Sequence, residues 1–295
     1  MANHIFTGSA VALVTPFAPD GSVNYDALAD LLQFQLDNQT DAFVICGTTG
    51  EASTMTDGEQ TECVRFCVEY VNKRVPVIAG AGSNDTAHGI NLCKMVAKAG
   101  ADAMLLVTPY YNKCTQKGLI RHFTAQANAA DIPVILYNVP TRTSLNMQPQ
   151  TVYELSKVPN IVALKEACGD IVQVAETIRL CGSDFAVYSG NDDYTVPLLS
   201  VGGVGVISVI ANVAPKQTRD MVAKFLDGDV KGSAAMQLDM LPLVRALFCE
   251  VSPGPVKAAL NMMGKNAGGY RMPVCEMDEG NLELLKREMK NYGLI

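Results

Sequence analysis

Much that would tie this chain to a charged partner or a familiar cofactor is missing. Across 295 residues there is no run of like charges and no low-complexity tract. With a net charge of −7, a nucleic-acid or anionic-membrane surface is disfavoured. No Pro/Ser-rich stretch divides the chain, so one domain with a C-terminal extension is expected. Apolar runs are short; the first is broken by Thr15 and Pro16, far below a bilayer span. The opening residues have neither the basic region nor the cleavage site of a signal peptide, and a cytoplasmic protein is expected. Histidine is scarce, with only His4, His88 and His122. The nine cysteines are odd in number and irregularly spaced, which argues for buried thiols rather than disulfides. Cys63 and Cys67 are one helical turn apart, but no CxxC pair or HxxxH accompanies them, so no metal site is expected. No GxGxxG or GxxxxGK[ST] follows any strand candidate, which removes the common phosphate-binding loops.

What the chain does have is an alternation. Short apolar, β-branched runs occupy 9–17, 42–47, 75–82, 103–110, 134–140, 161–167, 185–190 and 203–208. Helical periodicity follows each, as in 56–71 and 86–100, where Thr86 reads as an N-cap and Gly100 as a stop. Eight such units predict an α/β fold, a (β/α)8 TIM barrel over residues 1–228. Helical stretches near 229–248, 254–263 and 278–291 predict a C-terminal helical appendage over 229–295.

In such a barrel the chemistry collects where strands end. Those ends carry Thr48 and Thr49, Tyr110 and Tyr111, Tyr137 and Arg142, Lys165, Gly190, and Ile207 with Ser208. Lys165 follows Val162-Ala163-Leu164, where a strand should be buried. A lysine there either snorkels to solvent or loses its charge and becomes a nucleophile. Strand parity puts Lys165 on one face with Ala163 and Ala167, opposite Val162, Leu164 and Glu166. Small neighbours leave it room inside the barrel. The same parity places Tyr137 with Ile135 and Val139, facing the lysine from the preceding strand. A buried amine beside a tyrosine suits imine formation with a keto acid, the tyrosine moving protons. Thr48 and Thr49 can bind a carboxylate through hydroxyl and N–H groups. Taken singly, the GTTG segment could be a plain turn and Tyr137 a core residue.

GSAVALVTPF, GTTGE, TPYYNK, YNVPTRT, ALKEA, SGND, GVISV and GGYRMP occur in one order between Gly8 and Pro273. In these the chain resembles the dihydrodipicolinate synthase and N-acetylneuraminate lyase family of Schiff-base enzymes. The resemblance implies that Lys165 forms an imine with pyruvate and that Tyr137 relays protons with Thr48 and Tyr111. It implies that Thr49 binds the pyruvate carboxylate, that Gly190 belongs to the substrate site, and that Ile207 lines the pocket through its backbone. It implies a homotetramer or homodimer, with Tyr111 reaching across a tight interface. Arg142, two residues past the proline of YNVP, resembles the synthase branch, where it meets the carboxylate of aspartate semialdehyde.

There are departures. Ser144 stands where glycine is common, and SPGPVK (252–257) replaces the family's NPIPVK. In the region matching the family's lysine-inhibitor site, His88 replaces a carboxylate, and Asp57 and Gln60 replace histidines, while Asn84 and Tyr110 remain. Weak or absent inhibition by lysine is expected. Cys168, three residues past Lys165, is expected to be a structural thiol.

These readings lead to condensation of pyruvate with L-aspartate-4-semialdehyde, giving 4-hydroxytetrahydrodipicolinate for lysine and diaminopimelate synthesis. No cofactor is expected, since the imine is the electron sink. The rivals are a pyruvate-dependent lyase of a 2-keto-3-deoxy sugar acid or 4-hydroxy-2-oxo acid, and a non-catalytic keto-acid-binding barrel.

Overall fold

The β-branched runs pair side by side in parallel, each strand returning through a helix to the edge of the one before. The structure, a computed structural model, describes residues 4–295. Its strands are β1 (Gly8–Ala12), β2 (Ala42–Ile45), β3 (Val77–Gly80), β4 (Ala103–Val107), β5 (Val134–Asn138), β6 (Ile161–Glu166), β7 (Ala186–Ser189) and β8 (Gly205–Ser208). They close in chain order, β8 pairing back onto β1 with Ile207 opposite Ala10. The helices up to β8 are α1 (Tyr25–Asp37), α2 (Asp57–Val71), α3 (Thr86–Lys98), α4 (Gln116–Ala127), α5 (Pro140–Thr143), α6 (Pro149–Leu155), α7 (Ile171–Cys181) and α8 (Thr195–Ser200). After β8 come α9 (Pro215–Leu226), α10 (Val230–Leu247), α11 (Gly254–Met262) and α12 (Glu279–Asn291). This is the expected (β/α)8 TIM barrel with C-terminal helices.

Several strands stop earlier than their apolar runs. Pro109 and Pro140 have no N–H to give to a ladder, so the runs into 110 and 140 end at Val107 and Asn138. Pro140 instead takes the first position of α5, where its missing donor costs nothing. The N-cap of α3 also differs from expectation. Asp85 accepts the Ala87 N–H, while the Thr86 hydroxyl bonds His122 Nδ1 at 2.9 Å. Asp is the stronger cap, so the helix begins one residue earlier than expected, at Thr86. Gly100, with φ of +93°, follows this helix as read.

Alternation sorts the core into two layers. Ala10, Ala12, Ala42, Ala103, Ala163 and Ala186 point inward with Ile135, Tyr137, Tyr188 and Ile207. Val11, Phe43, Leu164 and Val187 point outward into the helices. The Tyr188 ring stacks on Phe6 at 4.2 Å and its hydroxyl donates to the Phe6 carbonyl at 2.7 Å. That pair fills the amino end of the barrel, beside the start of β1. Alanines line much of the interior, so long side chains have space toward the carboxyl end. Among the described residues no helix is long and apolar enough to cross a membrane.

Candidate active site

β5 and β6 run in register, with Tyr137 opposite Lys165 and Asn138 opposite Glu166. Period-two alternation therefore sends Tyr137 and Lys165 inward and their neighbours outward. Lys165 is 5% exposed, and its Nζ lies 4.4 Å from the centroid of the Tyr137 ring. Burial lowers the amine to a pKa of about 8, with Asp192 opposing and Arg142 reinforcing the shift. Burial likewise raises the Tyr137 phenol to about 12, so it holds its proton at neutral pH. A partly neutral amine beside a protonated phenol can attack a carbonyl and supply the proton its oxygen needs.

Gly190, just past β7, makes room for the lysine. A Cβ built there would stand 3.2 Å from Lys165 Cε and 2.9 Å from the Ala167 Cβ. The lysine thus reaches upward past bare backbone into a cavity of about 350 Å³. Thr48, Thr49, Tyr137, Arg142, Lys165 and Gly190 line it, together with Val209 and the segment containing Phe248, Glu250 and Ser252. Arg142 Nη2 donates to the Ser252 carbonyl at 3.2 Å, which ties the guanidinium to the loop before α11. A second cavity of about 480 Å³ shares Thr48, Tyr137 and Arg142 as a common wall. It extends to Asp57, Gln60, His88 and Tyr110.

Two expected site residues are not among those lining either cavity. Ile207 is fully buried in the barrel interior, and Val209, two residues on, reaches the cavity instead. Tyr111 is 93% exposed, has a φ of +68°, and lines neither cavity. Within one chain it does not meet Lys165.

A family model described as the dihydrodipicolinate synthetase family matches residues 5–292. The chain belongs to this family. It is 57% identical over 295 residues to the 4-hydroxy-tetrahydrodipicolinate synthase of Acetivibrio thermocellus, covering all of both chains. The dihydrodipicolinate synthase of Thermotoga maritima superposes with a TM-score of 0.97 at 42% identity, covering 99% of this chain and 100% of that one. The first monomeric dihydrodipicolinate synthase variant superposes with a TM-score of 0.96 at 42% identity, covering 99% and 98%.

Against that family background the departures acquire geometry. Ser144 does sit in the left-handed region at φ +53°, where a Cβ is strained. His88 Nε2 lies 2.9 Å from Asp57 Oδ1, and its Nδ1 lies 3.1 Å from the Ser83 hydroxyl. The thiol of Cys168 is pushed up to about 12, first by burial and then by Glu166, as suits an unreactive sulfur.

Four buried groups near the site escaped sequence reasoning. Glu166 accepts from Asn138 Nδ2 at 2.9 Å and from the Cys168 N–H at 2.8 Å, and burial raises it to about 7. Its parity predicted an outward carboxylate; its partners could not be read from one strand. Glu51, the last residue of GTTGE, takes a φ of +55° and receives Lys257 Nζ at 2.8 Å. Lys257 is fully buried and donates also to the Thr15 carbonyl at 3.0 Å. Asp192, in SGND, is buried with its Oδ2 accepting the Val209 and Ile210 N–H groups at 3.0 and 2.9 Å. The acid of SGND was the one available signal for it.

Proposed function

We propose that this chain condenses pyruvate with L-aspartate-4-semialdehyde to form 4-hydroxytetrahydrodipicolinate, through an imine on Lys165. The observation that carries the reading is the buried Lys165 amine, 4.4 Å from the Tyr137 ring, opening into a cavity that Thr48, Thr49 and Arg142 line. The identity of 57% to a 4-hydroxy-tetrahydrodipicolinate synthase over the full length supports the same reaction.

The chemistry follows from the side chains. Neutral Lys165 Nζ attacks the ketone carbon of pyruvate, and the carbonyl oxygen takes a proton relayed through Tyr137. A second proton lets that oxygen leave as water, giving the imine. The cationic imine draws electrons from the methyl group, which loses a proton to form an enamine. The enamine carbon then attacks the aldehyde. The amino group of the second substrate attacks the imine carbon, closing the ring and releasing Lys165. The Thr48–Thr49 turn receives the pyruvate carboxylate, and the Arg142 fork receives the carboxylate of the semialdehyde. Gly190 gives both substrates and the lysine close approach, and Ile207 lines the pocket through its backbone in this scheme. The lysine serves as electron sink once it is an imine, so the scheme uses no cofactor.

The exposed Tyr111 completes the relay in this scheme only from a second copy, which supports a homodimer or a dimer of dimers; the biosynthetic reaction itself suits the cytoplasm. Residues 1–228 act as the catalytic barrel and 229–295 as a helical appendage, with Lys257 and Arg271 reaching back to Glu51.

Turnover with pyruvate and aspartate semialdehyde, coupled to a reductase that consumes the cyclic product, tests the reaction. Borohydride trapping of pyruvate on Lys165, lost in Lys165→Ala, tests the nucleophile. Trapping without turnover would move the assignment to a sugar-acid lyase on the same chemistry. Arg142 is the residue that disfavours that alternative, because a sugar acid presents hydroxyls where the guanidinium stands.

A further inference from the structure

Among the described residues, the charged side chains lining the lysine's cavity are Lys165, Arg142 and Glu250. Lys165 and Arg142 have tasks in the condensation, and the carboxylate of Glu250 has none. Lys165 is buried at depth, Arg142 is exposed, and Glu250 is half-buried. The cavity therefore keeps its nucleophile at the bottom and one charge of each sign nearer the mouth.

Glu250 lies in the loop between α10 and α11. Its Oε1 accepts the Asp278 N–H at 2.9 Å and Asn281 Nδ2 at 2.8 Å, both at the start of α12. Its Oε2 has no hydrogen-bond partner among the described residues. Two residues on, the Ser252 carbonyl accepts Arg142 Nη2 at 3.2 Å. Two residues of chain span at most about 7 Å, so one short stretch bears the carboxylate and tethers the guanidinium. Yet the two groups form no ion pair with each other or with another charged side chain among the described residues. A brace to α12 would be served as well by the amide oxygen of a glutamine. A carboxylate left unpaired in a half-buried site costs free energy, and an ammonium supplied by a ligand offsets that cost. Opposite charges close together on one cavity wall, neither neutralised, frame a ligand that carries both.

We propose that Glu250 is a specificity-determining residue, its carboxylate receiving the α-ammonium of the second substrate while Arg142 receives the carboxylate. This rests on the condensation reading above and deepens it. Aspartate semialdehyde bears its ammonium and carboxylate on one carbon, with the aldehyde two carbons farther along. When both charges are held near the mouth, the aldehyde extends inward toward the enamine carbon on Lys165. An aldehyde acid without the amino group, or a sugar acid with a hydroxyl in its place, leaves Glu250 unpaired and is selected against.

The test compares wild type, Glu250→Gln, Asn281→Ala and Arg142→Ala in steady-state turnover, with pyruvate saturating and aspartate semialdehyde varied. Glu250→Gln keeps an acceptor for the two braces and removes the charge. Its KM for aspartate semialdehyde should rise about tenfold to a hundredfold. Inhibition by 4-oxobutanoate, the same aldehyde acid without the amino group, should keep its wild-type Ki in that variant. Asn281→Ala loosens the brace with the charge retained and should stay near the wild-type KM. Arg142→Ala should weaken both aldehydes alike. An unchanged KM in Glu250→Gln, a 4-oxobutanoate Ki that rises as far as KM does, or an Asn281→Ala variant impaired as much would overturn the proposal and leave Glu250 a brace for α12. If the glutamine variant does not fold, wild type alone decides. L-homoserine and 4-hydroxybutanoate, the alcohols of the two aldehydes, should then differ as competitors by about tenfold or more in favour of homoserine, and equal inhibition would overturn the proposal. A wild type that does not turn over aspartate semialdehyde with pyruvate would instead overturn the condensation reading itself.

Discussion

Tyr137 and Lys165 occupy the same level of neighbouring parallel strands, so the lysine amine rests 4.4 Å from the tyrosine ring centroid. The negative face of a ring favours the charged amine, while burial favours the neutral one. Burial wins, and the amine sits at about 8. The nucleophile and the phenol that serves it are therefore placed by strand register alone.

Imine formation with pyruvate should rise with pH. Below the folded value of about 8, the neutral fraction of Lys165 grows about tenfold per pH unit, and it levels off above. The linked effect on stability has a definite sign. In the unfolded chain the amine titrates near 10.5, so between 8 and 10.5 the unfolded state binds the extra proton and stability rises with pH. Below 8 both states are charged and the full burial cost is present. Lys165→Met should accordingly be more stable than wild type at pH 7, by about 1–3 kcal/mol, with the gap closing toward pH 10.5. Paired chemical-denaturation curves at the two pH values check this.

Tyr137→Phe keeps the ring against the lysine and removes the relay. The fold and the melting temperature should change little, while kcat falls by about 10²–10⁴, the usual worth of a positioned acid–base group. Trapping with borohydride should still succeed at long incubation. A variant with near-normal kcat would take Tyr137 out of the relay.

Arg142→Ala should raise KM for aspartate semialdehyde by one to two orders of magnitude, as expected for about 1.5–3 kcal/mol in a charge-assisted contact. KM for pyruvate should move much less, because the pyruvate carboxylate meets Thr48 and Thr49 in this scheme. Steady-state kinetics with each substrate varied in turn would separate the two.

Lys257→Met should destabilise the fold by about 3–5 kcal/mol, since it leaves Glu51 buried without its partner. The double variant with Glu51→Gln should recover part of that loss. Thermal unfolding of the two variants tests the coupling. Activity of the single variant should fall as well, because Glu51 follows directly on the Thr48–Thr49 turn.

Lysine should inhibit weakly or not at all. The second cavity presents an imidazole, His88, where the family carries a carboxylate, and its Nε2 lies 2.9 Å from Asp57 Oδ1. Losing such a partner costs a few kcal/mol of affinity by the usual measure for desolvated charges, about 2–5 kcal/mol. Half-maximal inhibition below one millimolar in a steady-state assay would contradict this.

The barrel was legible because its signals are local. Period-two alternation and the segregation of alanine from bulky residues put Ala163, Lys165 and Ala167 inside, and the interior is as read. The partner of Lys165 was legible too, since adjacent strands of a parallel sheet bring like positions together. Groups whose placement depends on distant chain segments were not. Asp192 crosses from one strand end to the next, and Glu166 finds partners on β5 and α7. The Glu51–Lys257 pair joins positions 206 residues apart. Tyr111 was named from motif alone, and one chain leaves it facing outward. The cap of α3 fell one residue early because Asp85 and Thr86 both cap well, and the threonine found a histidine instead.

The Lys257–Glu51 pair also has a consequence in time. A ribosome adding roughly 5–20 residues per second makes Glu51 well before it makes Lys257, by about 10–40 s at that rate. Through that interval the GTTGE turn exists without the ammonium that clamps it, and its carboxylate must stay hydrated. The growing chain can form strands and helices as they emerge, but the turn bearing Thr48 and Thr49 acquires its final shape only when α11 docks. The last stretch to be translated thus finishes one of the first loops to be made, and a nascent chain stalled before residue 257 would hold most of a barrel and an unfinished site.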